Sequence, residues 1–315
     1  MASSEDIKVL HYEHNGVGVI LSEALREQGI ESRVLASGIH LFGFKEDFLL
    51  LSTPLWPRSV WTKLLRPFLW RKYYDGYDIL HNHCQRHVPD YILKHWKGRV
   101  IQHYHDPSVR SPLIPDALSF ASLPTFLKVI PGAVWMPIPV HTKFFSPSNG
   151  SKQHESVNVG YCKQTTDPSK PSLIPEREIN AAVERSKGTL RGHPIEGIVP
   201  HGSMPGYYGG LDVWVDRIGL HFYGFAAVEA ASMGIPVIAE MGEEELNVVS
   251  DLYHTDCPFL NVKSAKEVPE ALLSLAQDEG LRRELGEKAR KYALEVHDSM
   301  KVARRCKEQY ESLKG

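Results

Sequence analysis

The sequence predicts an α/β protein of two parallel-sheet domains, and three observations carry that expectation. The chain has 315 residues, a length that suits two domains of roughly 100 to 200 residues each. Short β-branched runs alternate with helical ones along most of it, the pattern of strands buried between helices. Between residues 146 and 175 the composition turns to Ser, Pro, Asn, Gly and Thr, after which the alternation resumes. A linker is therefore expected around residues 145–152, separating domains over 1–147 and 148–295, with a last helix over 296–315 packing back on the first.

Each element follows from local pattern. Ile7 opens a strand-like run that ends in a loop carrying Gly16 and Gly18, and Ile20, Ala24 and Leu25 then share one helical face that Gly29 stops. Residues 32–35 read as the second strand, and 77–83, 99–105 and 134–137 as further ones. In the second half, 176–187 reads as a helix, 210–216 as a strand, 224–233 as a helix and 235–239 as a buried strand. Residues 265–315 read as two or three amphipathic helices.

Composition narrows the function classes. Lys and Arg number 36 against 38 Asp and Glu, a formal net charge of −2, which argues against a general nucleic-acid binder. With 42% hydrophobic and 23% charged residues, the chain is neither disordered nor collagen-like. No run approaches the roughly 18 to 20 apolar residues of a membrane span, and the polar start Met1-Ala-Ser-Ser-Glu-Asp lacks the order of a signal peptide. Cys84, Cys162, Cys257 and Cys306 form no C-x-x-C pair, which disfavours a disulfide framework or a cysteine zinc site. A soluble cytoplasmic protein is expected.

The most informative stretch is 219–239. A loop at Gly224 exposes backbone N–H groups at a helix start, where phosphate is attracted. Glu229 lies about 1.5 turns in, where a carboxylate can accept hydrogen bonds from a ribose diol. The same residues also allow a plain helix on a strand, with Glu229 a solvated charge. Histidines form three close pairs, His11 and His14, His81 and His83, His103 and His105, at expected strand ends. Alternate residues of a strand face one side, so the H-x-H pairs His81/His83 and His103/His105 can bind zinc with Asp106 as a further ligand. Alternatively they line a cleft at the carboxyl ends of parallel strands, or pack beneath it. From Phe48 to Tyr74 no acidic residue occurs, while Arg58, Lys63, Arg66, Arg71 and Lys72 alternate with Trp56, Trp61, Phe68 and Trp70. Residues 56–72 therefore suit an anionic membrane surface, or a core stripe with a solvated face.

The run G-F-A-A-V-E-A-A-S-M-G-I-P-V-I-A at 224–239 resembles the C-terminal signature of family 4 of the retaining GT-B glycosyltransferases. Four more segments resemble that family in the same order: Asn15-Gly-Val-Gly-Val, Tyr77-Asp-Ile-Leu-His-Asn-His, Tyr104-His-Asp-Pro-Ser-Val-Arg and Met136-Pro-Ile-Pro-Val-His-Thr-Lys-Phe-Phe-Ser-Pro. The sequence departs from it twice. The first glutamate of the family's E-x7-E is His221, and the diphosphate-binding Arg and Lys-Gly give way to Lys163 and Lys170-Pro171.

The resemblance implies a GT-B fold, two Rossmann-like domains facing a central cleft. It implies transfer of a sugar from a nucleoside diphosphate sugar to an acceptor, lipid-linked or glycan, with retention and without a metal or cofactor. His105 and Asp106 take the catalytic positions, and Gly16, Lys163, Lys170, His221, Tyr223, Gly224, Phe225 and Glu229 the donor-binding ones. Two other readings stand beside it: a metal-dependent hydrolase using the H-x-H pairs, and a non-catalytic sugar-nucleotide-binding subunit. For the enzyme, contact with the inner membrane face through residues 56–72 is the further expectation.

Overall fold

The computed structural model describes residues 7–13, 16–36, 40–49, 71–84, 88, 90–105, 109, 111–114, 117–147, 155–163 and 173–313. Asp106, Lys170 and nearly all of the 56–72 segment lie outside the described residues. The chain divides into two compact units, Met1–Pro139 with Ser299–Gly315, and Val140–Asp298.

The first unit holds a seven-stranded parallel sheet. Its strands are β1 (Lys8–Glu13), β2 (Glu31–Ala36), β3 (Phe48–Leu49), β4 (Ile79–Asn82), β5 (Arg99–Tyr104), β6 (Leu118–Ala121) and β7 (Val134–Trp135), in the order β3-β2-β1-β4-β5-β6-β7. The central strands are buried along nearly their whole length, so they read as apolar runs rather than as alternation. Helix α1 (Val17–Glu27) starts at Gly16, whose φ of 85° is left-handed, a region that costs glycine little. Its buried Leu21, Ala24 and Leu25 join Ile7, Val9 and Ile79 in one core. Helix α2 (Asp90–His95) buries Ile92 in a second core with Leu10, Leu35 and Leu80.

The second unit holds a five-stranded parallel sheet of β8 (Val157–Cys162), β9 (Leu190–Ile195), β10 (Val213–Val215), β11 (Val237–Ala239) and β12 (Leu260–Asn261), ordered β12-β11-β10-β8-β9. Its helices are α3 (Glu176–Arg185), α4 (Met204–Gly209), α5 (Phe225–Ser232), α6 (Glu243–Tyr253), α7 (Val268–Gln277) and α8 (Glu279–Tyr292). A π-helical turn at Ala293–His297 precedes α9 (Ser299–Ser312). That last helix belongs to the first unit, where Val302, Ala303, Cys306 and Tyr310 complete the α1 core and Gln28 donates to the Met300 carbonyl at 2.7 Å.

The division at Pro139 precedes the 147/148 boundary expected from composition, and side-chain bonding gives the reason. Arg290 donates to the carbonyl oxygens of Thr142 and Phe145 at 3.0 and 2.9 Å and to that of Ser232 at 2.6 Å. Phe145 is itself fully buried. The segment after Pro139 is thus anchored in the second unit before its composition turns linker-like. Strands β3, β6, β8, β9 and β12 and helices α2, α4 and α6 are additions to the elements read from the sequence.

Candidate functional site

In a parallel sheet, ligands collect outside the carboxyl ends of the strands where the strand order reverses. In the second unit that point lies between β8 and β10. The chain leaves β8 at Lys163 and β10 at Asp216 and Arg217, and α5 begins a short loop later. Asp216 ties the loop down, its Oδ2 accepting from the Gly224 N–H at 2.6 Å. Gly224 has ordinary dihedrals, and what its missing side chain leaves room for is Arg217: a Cβ there would lie 2.5 Å from Arg217 Nη2. The guanidinium therefore rests on the α5 N-terminus. Among the described residues no carboxylate pairs with Arg217.

Glu229 is 3% exposed, which removes the reading of it as a solvated charge. Its Oε2 accepts from Tyr208 Oη at 2.9 Å, and its Oε1 lies 2.9 Å from His201 Nε2. Burial raises its pKa above the usual carboxylate value, while His201 and the bond from Tyr208 pull the other way. Burial also holds the Tyr208 pKa far above that of a free phenol, so Tyr208 remains a donor at physiological pH. Both partners come from the stretch between β9 and β10, His201 from a 3-10 turn and Tyr208 from α4.

The other donor-side residues differ in what they present. His221 is exposed, takes a left-handed φ of 56°, and places Nδ1 at 2.9 Å from Glu240 Oε1. Glu240 Oε2 accepts from the Gly219 N–H. A carboxylate thus stands at the corner where the sequence has histidine in place of the first glutamate. Tyr223 turns its ring into the core, with its hydroxyl 2.5 Å from Tyr292 Oη and 2.9 Å from His297 Nε2. Only its backbone faces the loop. Phe225 is the first residue of α5 and sits 6.1 Å, ring to ring, from His201. Lys163 lies at the end of β8, its Nζ 3.1 Å from Glu196 and 3.8 Å from Glu176.

His201, Tyr208, Arg217 and Glu240 were not singled out from the sequence. Arg217 directly follows the strand read at 210–216, and that position was the available signal. The other three carry no local signature, because what defines them is a contact to a residue distant in the chain.

In the first unit the order reverses between β1 and β4, and five histidines gather there. Parallel register sets His11 beside His81. A continuous chain of contacts runs from Tyr310 Oη to His81 Nδ1 at 2.6 Å, then His81 Nε2 to His103 Nδ1 at 3.2 Å and His103 Nε2 to Ser122 Oγ at 3.1 Å. It continues from Ser122 Oγ to His105 Nδ1 at 2.7 Å, His105 Nε2 to His83 Nδ1 at 3.1 Å, and His83 Nε2 to His11 Nδ1 at 2.9 Å. Burial pushes His11 and His105 down to about 3 and lowers His81, His83 and His103 well below the usual histidine value, with neighbouring rings adding to the effect on those three. All five are neutral at physiological pH. His105 is one link in this chain, with both nitrogens engaged.

The glycine loop holds an internal anion. Glu13 Oε1 accepts from the Gly16 N–H at 2.8 Å and Oε2 from the Gly18 N–H at 2.5 Å, so a carboxylate of the chain itself occupies the α1 N-terminus. A Cβ at Gly16 would meet the Phe44 ring at 2.3 Å, and one at Gly18 would meet Glu13 Oε2 at 2.2 Å.

No family model matches the chain, and no curated protein matches it in sequence. Solved structures do match. A glycosyltransferase from Rickettsia africae superposes with a TM-score of 0.65 at 13% identity, covering 98% of both chains. Sucrose-phosphate synthase from Thermosynechococcus elongatus gives 0.63 at 16% identity, over 98% of this chain and 99% of that one. HepE of Anabaena, solved with UDP and glucose, gives 0.67 at 11% identity, over 97% and 100%. The chain has the α/β GT-B fold of these glycosyltransferases.

Proposed function

We propose that the protein is a glycosyltransferase that moves a sugar from a nucleoside diphosphate sugar, with UDP as the first nucleotide to test, to an acceptor with retention of configuration. The observation that carries this reading is Glu229. A carboxylate 3% exposed at the switch point of a nucleotide-binding type of sheet, beside a helix N-terminus, is costly to keep without a ligand-related role. Tyr208 uses one of about four acceptor sites, and Oε1, although 2.9 Å from His201 Nε2, is buried without a hydrogen bond. The remaining ones suit the two hydroxyls of a ribose. Its place in the run resembling the family 4 signature supports the same assignment.

Departure of the diphosphate needs positive charge and N–H donors already in place, the preorganised stabilisation that dominates many such reactions. Arg217, the Phe225 amide at the start of α5 and, from the sequence, Lys163 and Lys170 supply them, the Gly224 N–H being taken by Asp216. The Arg217 side chain resting on Gly224 fills the role that the family gives to its arginine. At the sugar, His105 and Asp106 take the catalytic positions, whereas Gly16, its N–H held by Glu13 and its Cα covered by the Phe44 ring, serves the α1 turn instead. His221, oriented by Glu240, brings carboxylate charge to the position of the first glutamate of E-x7-E. That pair favours an enzyme over a non-catalytic binding subunit. The acceptor is assigned to the first unit, and residues 56–72 to an anionic membrane surface.

Calorimetry with UDP, GDP and ADP, followed by donor-hydrolysis and transfer assays on the corresponding sugar nucleotides, tests the proposal. Binding of one nucleoside diphosphate and turnover of its sugar conjugate are expected. Absence of binding across the nucleotides would remove it. Binding with no hydrolysis or transfer would instead select the non-catalytic subunit.

A further inference from the structure

The histidine array of the first unit is larger than the sugar-contacting role of His105 requires. Four of its rings, His11, His81, His83 and His103, are fully buried. The nitrogen of His11 that does not face His83, Nε2, is buried without a hydrogen-bond partner. It is the one ring nitrogen of the array in that condition, since the other nine take part in the contacts given above. Buried polar atoms are normally satisfied, so an orphan at the end of an array of imidazoles points to a missing partner.

We propose that His11, His81 and His83 bind one divalent transition-metal ion of the zinc type within the first unit. One nitrogen from each ring lies within 4.8 Å of the others. A tetrahedral ion with bonds of about 2.0 to 2.1 Å holds its ligand nitrogens about 3.4 Å apart, and His83 Nε2 and His11 Nδ1 already stand at 2.9 Å. His11 and His81 stand side by side in the parallel register of β1 and β4, and His83 directly follows β4, its N–H donating to the Tyr12 carbonyl at 2.9 Å. Little movement is therefore needed.

Proton placement favours the same set. A neutral imidazole has one N–H and one lone pair, and a ligating ring uses its other nitrogen to donate to a neighbour. His83 Nδ1 faces His105 Nε2 at 3.1 Å and lies 3.9 Å from Glu13 Oε2. Both hold the proton on Nδ1 and leave Nε2 free to ligate. His81 Nδ1 faces Tyr310 Oη at 2.6 Å, which can accept from it and leave that ring's Nε2 unprotonated, a lone pair that faces His103 Nδ1 at 3.2 Å until an ion takes it. His11 binds through either nitrogen. Glu13 supplies the nearby negative charge that a buried dication needs. The ion is independent of the donor reading, which places the diphosphate in the second unit.

The test uses the full chain without a histidine tag. Zn2+ or Co2+ is added, free ion is removed by dialysis, and the retained metal is counted. One ion per chain is expected. X-ray absorption of the zinc form should show three imidazole nitrogens, and the cobalt form should show tetrahedral visible absorption. His83→Gln and His11→Gln should lose the ion while keeping the wild-type circular dichroism. His105→Gln, which removes only the outer partner of His83, should keep one ion with roughly 10- to 100-fold weaker affinity. Wild type that retains no ion after dialysis, or whose absorption shows sulfur or only oxygen ligands, overturns the proposal without reference to any variant. Loss of the ion in His105→Gln with retention in His11→Gln also overturns it, by placing the metal among His83, His103 and His105 instead.

Discussion

Tyr208 and Glu229, 21 positions apart, meet at 2.9 Å inside the second unit, and the phenol donates to a carboxylate that is almost wholly removed from water. The contact joins α4 to α5. It makes Glu229 at once a binding group and a buried charge, and the two roles respond oppositely to mutation.

Glu229→Gln should weaken donor binding by about 10- to 100-fold, since a charge-assisted acceptor is worth about 1.5 to 3 kcal/mol. Stability should move the other way. Burial raises the folded-state pKa of Glu229 above 4.5, so the stability this group contributes is fully present below pH 4.5 and is lost as pH rises through the raised value. Glutamine has no such loss. The difference in Tm between variant and wild type should grow in favour of glutamine from pH 4 toward pH 7. A constant difference across that range would remove the buried-charge role, and an unchanged donor Kd would remove the binding role.

Arg217→Ala should weaken binding of the nucleoside diphosphate by about 10- to 100-fold, the scale of one charged hydrogen bond at about 1.5 to 3 kcal/mol. Gly224→Ala should act in the same direction with a smaller effect, because its Cβ would push against Arg217 Nη2 from 2.5 Å and displace the head of a flexible side chain. Both proteins should melt close to the wild type. If calorimetry gives wild-type affinity for both, Arg217 does not hold the diphosphate.

Glu13→Ala strips the acceptor from two buried amides, those of Gly16 and Gly18. An unsatisfied buried donor costs about 1 to 3 kcal/mol, so a loss of at least that order is expected in chemical denaturation. Glu13→Gln keeps one acceptor oxygen and should lose less. Equal stability of all three proteins would mean that water replaces the carboxylate at the α1 N-terminus.

Residues 56–72 carry Arg58, Lys63, Arg66, Arg71 and Lys72 with three tryptophans and no carboxylate. If they meet an anionic membrane, each basic group near it contributes about 1 kcal/mol, and salt screens the attraction. The wild type should co-sediment with anionic liposomes at low salt, less so at high salt, and little with neutral ones. The combined Arg58→Glu, Lys63→Glu and Arg66→Glu variant should stay in solution. Among the described residues no helix is long and apolar enough to cross a membrane, so this segment is where membrane contact is sought.

Much of the architecture was legible because it is periodic or punctuated. Ile20, Ala24 and Leu25 mark one helical face, Gly29 ends it with a φ of 79°, and Gly224 and Glu229 stand out within one short run. What escaped was what local pattern does not encode. Strand β8 is buried over five of its six residues, so it shows no alternation, and it lies inside the stretch whose composition reads as a linker. Yet it is the strand beside which the second sheet reverses its order.

The same division holds at the sites. The sequence by itself determined two α/β domains, the Gly224 loop, Glu229 and the paired histidines, because spacing of 2 or 3.6 residues and the chemistry of glycine act within a few positions of the chain. Tertiary structure alone decided that Glu229 is held by His201 and Tyr208, that Arg217 lies on Gly224, and that Glu13 rather than a ligand fills the amides of Gly16 and Gly18. It also drew His11, His81, His83, His103 and His105 into one array with Tyr310 of the last helix. Contacts of this kind depend on which strands become neighbours and in what register, a choice set by burial summed over a whole core and not by any residue's local sequence.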